Sequence, residues 1–63
     1  MISRRRALAL AIRALDLQIR DLAPLANMHD LYKADVPSCV TASRLRRLLR
    51  EAIAVIEELG TES

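Results

Sequence analysis

The sequence predicts an all-α fold, an antiparallel hairpin of two amphipathic helices, and three observations support it. The 63 residues contain one Gly, no Trp, no Phe and one Tyr, and they are rich in residues that favour helices over strands. Apolar residues recur at alternating intervals of four and three, which keeps them on one helical stripe. Pro24 and Pro37 separate the two stretches in which this period occurs.

The first helix is expected over residues 4–33. Its apolar stripe consists of Leu8, Ile12, Leu15, Ile19 and Leu22. Pro24 lacks an amide proton and its ring crowds the preceding turn, which costs about 3 kcal/mol inside a helix. We therefore expect a kink near residue 24, and a clean break into a separate short helix is the competing possibility.

The second helix is expected over residues 38–59, after a turn at residues 34–37. Its stripe consists of Leu45, Leu49, Ala52, Ile56 and Leu59, and two stripes on one short chain most simply face each other. Ser38 or Thr41 is predicted to cap this helix, with Pro37 in its first turn. Gly60 suits its end.

Continuity through Pro24 decides where the basic N-terminus lies. A continuous first helix of ~30 residues would span about 45 Å and a second helix of ~22 residues about 33 Å, so the N-terminus would overhang. A break at Pro24 would match the two arms in length. The start of the first helix would then lie beside acidic residues at the end of the second. These are Arg4, Arg5 and Arg6 on one side and Glu57, Glu58 and Glu62 on the other.

The chain is interpreted as one domain, residues 1–63, with little material for a core. A chain of this size buries only roughly 60% of the surface that its unfolded form exposes. Cys39 is the only cysteine, so an intramolecular disulfide cannot supply the missing stability. Oligomerisation or a partner is therefore expected to complete a helical bundle.

A second apolar side on the first helix is the strongest indication of a partner. Leu10 and Leu17 point almost directly away from the predicted stripe, with Ala7 and Ala14 nearby. A two-helix hairpin covers only one side of each helix, so these residues would remain in water. Contiguous exposed apolar residues usually mark an interface. We predict that Ala7, Leu10, Ala14 and Leu17 form one.

No pattern typical of catalysis is present. His29, Asp30, Asp35 and Cys39 do not match standard metal-ligand spacings, and the sequence has no phosphate-binding Gly loop or cofactor fingerprint. Cys39 is interpreted as a small, semi-buried apolar residue, and His29 as a packed or capping residue near the turn. We expect no catalytic, cofactor or metal site, and no small-molecule substrate.

Nucleic acid is the alternative partner. Arg6, Arg13 and Arg20 recur every seven residues and so share one face of the first helix. A second cluster, Arg46, Arg47 and Arg50, begins the second helix, and rows of guanidinium groups can follow phosphates. The net charge of only +2 and the near absence of aromatic residues oppose this interpretation.

The sequence thus favours a non-enzymatic helical interaction module that self-associates or docks on a larger protein. Adaptors, inhibitors, antitoxins and minor assembly components, including those of phages, are often small helical chains of this kind. The alternative is a dimeric, nucleic-acid-binding regulator. Arg13 cuts the apolar run of residues 7–12 below the length of a signal sequence, and no run reaches the ~20 residues of a membrane span. A cytoplasmic location is expected.

Overall fold

Two antiparallel helices make up the fold in the computed structural model, which describes residues 2–61. Helix α1 is Arg4–Tyr32 and helix α2 is Pro37–Thr61, and the two pack against each other along their length. The hairpin measures 44 × 19 × 15 Å. The predicted all-α hairpin is confirmed. Neither helix has the long apolar stretch needed to cross a membrane, as far as residues 2–61 are concerned.

Local hydrogen bonds fix both ends of α1. The Ser3 hydroxyl accepts a hydrogen bond from the Arg6 amide at 3.2 Å, which satisfies a donor that the first turn leaves unpaired. Lys33 ends the helix with a left-handed backbone, φ 55°. This turn lets the amides of Lys33 and Ala34 donate to the carbonyls of His29 and Met28, each at 3.0 Å.

Helix α1 runs without interruption through Pro24. Pro24 lies on the exposed side of the helix, where its ring faces solvent. The separate short helix considered as an alternative is therefore not found. The continuous helix ends one residue before the expected boundary.

Helix α2 is longer than expected at both ends. Its first turn is closed by backbone, because the Val36 carbonyl accepts from the amides of Cys39 and Val40 at 2.9 and 3.0 Å. The predicted caps, Ser38 and Thr41, lie inside the helix and were wrong. Gly60 does not end the helix, which continues to Thr61.

The basic N-terminus does not overhang α2. The guanidinium group of Arg4 donates to the Leu59 carbonyl at 3.5 Å, so the start of α1 meets the end of α2. By helical rise the two helices span about 44 and 38 Å, so the greater length of α2 reduces the expected mismatch by about half. Arg4 contacts a backbone carbonyl here, as suits a cation at a helix C-terminus. Glu62 lies outside the described residues.

The interface between the helices confirms one predicted stripe and corrects the other. All five predicted stripe residues of α1 are half-buried, and Ala26 continues them as a fully buried residue. On α2, Leu45 and Leu59 are exposed, so the predicted register was wrong at these two positions. The residues of α2 that are buried or half-buried along α1 include Cys39, Ala42, Arg46, Leu49, Ala52, Ile53 and Ile56, so the predicted Leu49, Ala52 and Ile56 are among them. Arg46 replaces Leu45 in the interface because α1 offers it polar partners.

Candidate functional site

A cluster of polar side chains joins the two helices near the turn. Arg46 of α2 donates through one guanidinium nitrogen to Asn27 at 2.7 Å and through the other to a carboxylate oxygen of Asp30. The Ser43 hydroxyl donates to the second Asp30 oxygen at 2.7 Å. Only 8% of Arg46 is exposed, so this charge lies within the helix interface with its partners in place.

Asp30 is the acceptor at the centre of this cluster. Hydrogen bonds from Ser43, from His29, whose Nδ1 lies 3.0 Å from the carboxylate, and from Arg46 hold the pKa of Asp30 well below its usual range. Donors to the ionised form stabilise that form. Asp30 is thus a carboxylate at neutral pH and acts as a hydrogen-bond acceptor.

Arg46 is not the surface residue that the sequence suggested. Its grouping with Arg47 and Arg50 as one cluster able to contact phosphates was wrong, since both of its terminal guanidinium nitrogens donate to side chains of α1. Arg47 and Arg50 are exposed and line an open groove of about 400 Å³ beside the cluster. The groove is bounded by Asp30, Ser43, Arg46, Arg47, Arg50, Glu51 and Ala54.

The Asp30–Ser43 contact identifies one broad side of the hairpin. Each of these residues directly follows an interface position, His29 on α1 and Ala42 on α2. Residues that follow interface positions therefore lie on the same side in both helices, as in an antiparallel coiled coil. We call this side the polar face. Its exposed charged residues, each directly after an interface position, are Arg13, Asp16, Arg20, Asp30, Arg47, Arg50 and Glu57.

The opposite broad side is apolar on both helices. It is formed by residues that directly precede interface positions, such as Leu25 before Ala26 and Leu45 before Arg46, together with the next positions outward. We call this side the apolar face. Its apolar members are Ala7, Ala14, Leu25 and Met28 from α1, with Leu10 and Leu17 at its outer edge, and Leu45, Leu48, Ala52, Val55 and Leu59 from α2. Gln18 and Asp21 of α1 are exposed polar residues of the same face.

The four residues predicted as a partner interface lie on this face and its outer edge. Leu10 is 46% exposed and Leu17 is 52% exposed, and Ala7 and Ala14 are exposed as well. Helix α2 does not cover them. Their binding to a partner stays a prediction.

The contribution of α2 to the apolar face was missed by sequence reasoning. Leu48 and Val55, with 60% and 55% of their surfaces exposed, belong to a second stripe with Leu45, Ala52 and Leu59, spaced by three and four residues. Assigning Leu45 and Leu59 to the interface with α1 concealed this stripe. Leu48 and Val55 fit no position of the assumed interface, and this misfit was the sequence signal that α2 has a second apolar stripe.

The remaining candidates for chemistry are accounted for by packing. Cys39 is a free cysteine buried in the helix interface, and His29 contacts Asp30 beside it in sequence. Within residues 2–61, no group of three potential metal ligands occurs. Arg6, Arg13 and Arg20 are exposed along α1.

Comparisons of this chain with protein-family models, with curated proteins and with solved structures give no match.

Proposed function

We propose that this chain is a non-enzymatic interaction module that binds a protein partner, or itself, through the apolar face. The observation that carries the proposal is the exposure of large apolar residues from both helices on one side of the hairpin, including Leu17, Leu48 and Val55. Soluble domains rarely leave contiguous apolar patches of this kind uncovered. Burying them would remove apolar surface from water and favour association.

The division of the hairpin into two faces supports the same proposal. The polar face carries several exposed charges, including those of Arg13, Arg47 and Arg50, and it can remain in water while the apolar face is covered. Interfaces are depleted of charged residues at their centres and keep polar groups at their rims. The α2 half of the apolar face has this composition, with Arg44 and Glu58 exposed beside it, whereas the α1 half also carries Gln18 and Asp21.

Site-specific photo-crosslinking in the native host tests the proposal. A photoreactive residue at Leu17 or Val55 should give one defined protein adduct, because these side chains lie at the proposed interface. The matched positions on the polar face, Arg13 and Ala54, should give none. Leu48→Glu should abolish the adduct, since a carboxylate cannot be buried in an apolar contact without a large cost. Equal adducts from both faces would contradict the proposal.

Nucleic-acid binding is a second candidate, favoured by one observation. Arg13, Arg20 and Arg47 are exposed on one side of the hairpin, and the arginine-lined groove lies there too. Exposed guanidinium groups on one surface can contact successive phosphates. Asp16 and Glu57 are exposed on the same face and would repel a phosphate backbone, which makes this the weaker candidate.

Salt separates the two candidates. If the arginines bind duplex DNA or RNA, affinity should fall with a log–log slope near −0.9 per phosphate contacted, because bound counterions are released. An Arg6/Arg13/Arg20→Ala variant should then lose most of its low-salt binding. Binding through the apolar face should change little with salt, because burial of Leu10 and Leu17 is not screened. Oligonucleotide titrations over a range of salt measure this directly.

A further inference from the structure

We infer that the apolar face is covered by a second copy of this chain, giving a two-fold symmetric four-helix bundle. The inference rests on the proposed function and names its partner. It follows from the small core of a single hairpin, the size of the face and the arrangement of residues along α2.

A single hairpin buries very little apolar volume. Its buried apolar residues are Ala26, Cys39 and Ala42, and no large side chain within residues 2–61 is fully buried. Larger residues such as Leu15 and Ile56 are only half-buried. A core of this size leaves a 63-residue chain marginal without another layer. A second hairpin laid on the apolar face would place Leu45, Ala52 and Leu59 in a shared core.

The broad side of the hairpin is large enough for a stable dimer. Its 44 × 19 Å outline covers about 840 Å² in projection, and a standard interface buries roughly 800 Å² of accessible surface per partner. Because the polar face on the other side remains charged, association stops at two layers. A closed pair satisfies the apolar surface of both copies, as expected for an isologous interface.

The outer edge of α2 carries charges of both signs. Arg44 lies near the turn, Glu51 at the middle and Glu58, two heptads from Arg44, near the open end; all three are exposed, and Glu51 also borders the groove on the polar face. If α2 of the second copy runs antiparallel along the same edge, Arg44 of each copy lies at the level of Glu58 of the other, giving two Arg–Glu pairs, and the two copies of Glu51 lie at the same level near the two-fold axis. The same alignment sets Leu48 against Val55 and leaves the small side chain of Ala52 close to the two-fold axis.

The inference predicts a dimer whose apolar face can be disrupted selectively. Light scattering after size exclusion should give twice the mass of the chain. Leu48→Glu should raise the dissociation constant at least a hundredfold, because both copies lose an apolar contact and gain a charge in the interface. The matched variant Arg47→Glu, one residue away on the polar face, should remain a dimer.

The edge contact has its own test. Glu58→Arg should weaken the dimer several-fold, because a positive charge at position 58 would lie against Arg44 of the second copy. The double variant Arg44→Glu/Glu58→Arg should restore the affinity, because opposite charges then face each other again. The double variant keeps the net charge of the natural chain. Failure of the exchange to restore affinity would overturn the antiparallel alignment of α2.

Cross-linking keeps the inference testable even if Leu48→Glu unfolds. In a Cys39→Ala background, Ala52→Cys should form covalent dimers with a short bismaleimide, while Ala54→Cys on the polar face should not. A monomer mass with full helicity at about 100 μM, a concentration well above typical dissociation constants of specific dimers, would overturn the second copy as partner. A photo-crosslinked adduct with a different protein would then leave the proposed function standing.

Discussion

Arg46 lies in the helix interface, where the spacing of apolar residues had predicted its neighbour Leu45. Its guanidinium group reaches Asn27 and Asp30 on α1, so the charge is compensated where it is buried. Moving Arg46 away from Asp30 would leave a buried charge without its partner, which is costly. A leucine at position 46 would carry no such cost and could pack in several registers. The pair therefore specifies which residues of α2 face α1, and it turns Leu45 outward.

The carboxylate of Asp30 makes this contact sensitive to acid. Its pKa is lowered in the folded chain by donors from Ser43, His29 and Arg46, so the unfolded chain binds the proton more readily. The stabilisation is present above the ordinary carboxyl pKa of about 3.9 and is lost as pH falls toward the lower folded value.

Asp30→Asn should therefore lower the free energy of unfolding near neutral pH, and this difference from the natural chain should shrink as pH falls to about 3. Urea unfolding at several pH values measures it. Asp16→Asn, which changes an exposed carboxylate on the same face, is the control. A difference between Asp30→Asn and the natural chain that is constant with pH would contradict the assigned role.

The left-handed residue that ends α1 offers a stabilising change. Lys33 has φ 55°, a conformation that costs roughly 1–2 kcal/mol for a residue with a Cβ atom and little for glycine. We expect Lys33→Gly to raise the free energy of unfolding by about 1 kcal/mol. Ala34→Gly, at a position without positive φ, should give no gain. Thermal unfolding of both variants would show whether the gain is specific to residue 33.

At the scale of the elements, each helix carries two apolar stripes. One stripe of α1, including Leu8 and Leu15, packs against α2, and the other, including Leu10 and Leu17, is exposed. Helix α2 has the same organisation, with Leu49 and Ile56 in the interface and Leu48 and Val55 outside it. A helix with two such stripes is typical of a bundle in which every helix has two neighbours.

Pro24 is the element-scale feature that local propensity disfavours. It lies inside α1 and on its exposed side, so Pro24→Ala restores an amide donor without leaving a cavity. We expect the variant to be more stable, by less than the about 3 kcal/mol that proline costs in a helix, because it also frees the unfolded chain. Circular dichroism with urea unfolding measures the change. A loss of stability would mean that α1 needs the proline to follow α2.

The whole molecule is a single layer of two helices with one polar and one apolar face. At one end of the hairpin the chain turns at Lys33. At the other end Arg4 donates a hydrogen bond to the Leu59 carbonyl. Between them the interface holds mainly half-buried side chains. Folding and the proposed dimerisation are therefore expected to be coupled.

Coupling makes stability depend on concentration. Each tenfold rise in chain concentration should raise the melting temperature by about 5 °C, given the roughly 2.1 cal/mol/K per residue of unfolding entropy and two chains per dimer. Thermal scans from about 1 to 100 μM cover two such steps. Leu48→Glu should show a lower melting temperature with little dependence on concentration. A concentration-independent melting temperature in the natural chain would show that the hairpin is stable alone.

The sequence by itself determined the two helices, the turn between them and the stripe of α1 that faces α2. Apolar period and the position of Pro37 are local signals, and Leu8, Ile12 and Leu15 follow the period. Pro24, the other expected boundary, lies inside α1. The exposure of Leu10 and Leu17 was also predictable, since a hairpin can cover only one side of α1.

Only the tertiary structure decided the register of α2 and hence its exposed stripe. Several neighbouring stripes of α2 have the same spacing of three and four, so apolar period alone cannot choose among them. The choice depends on Asp30, which is distant in sequence and draws Arg46 into the interface. With that ion pair in the interface, Leu45 and Leu59 lie outside it beside Leu48 and Val55, and together these residues form the half of the apolar face that the sequence did not reveal.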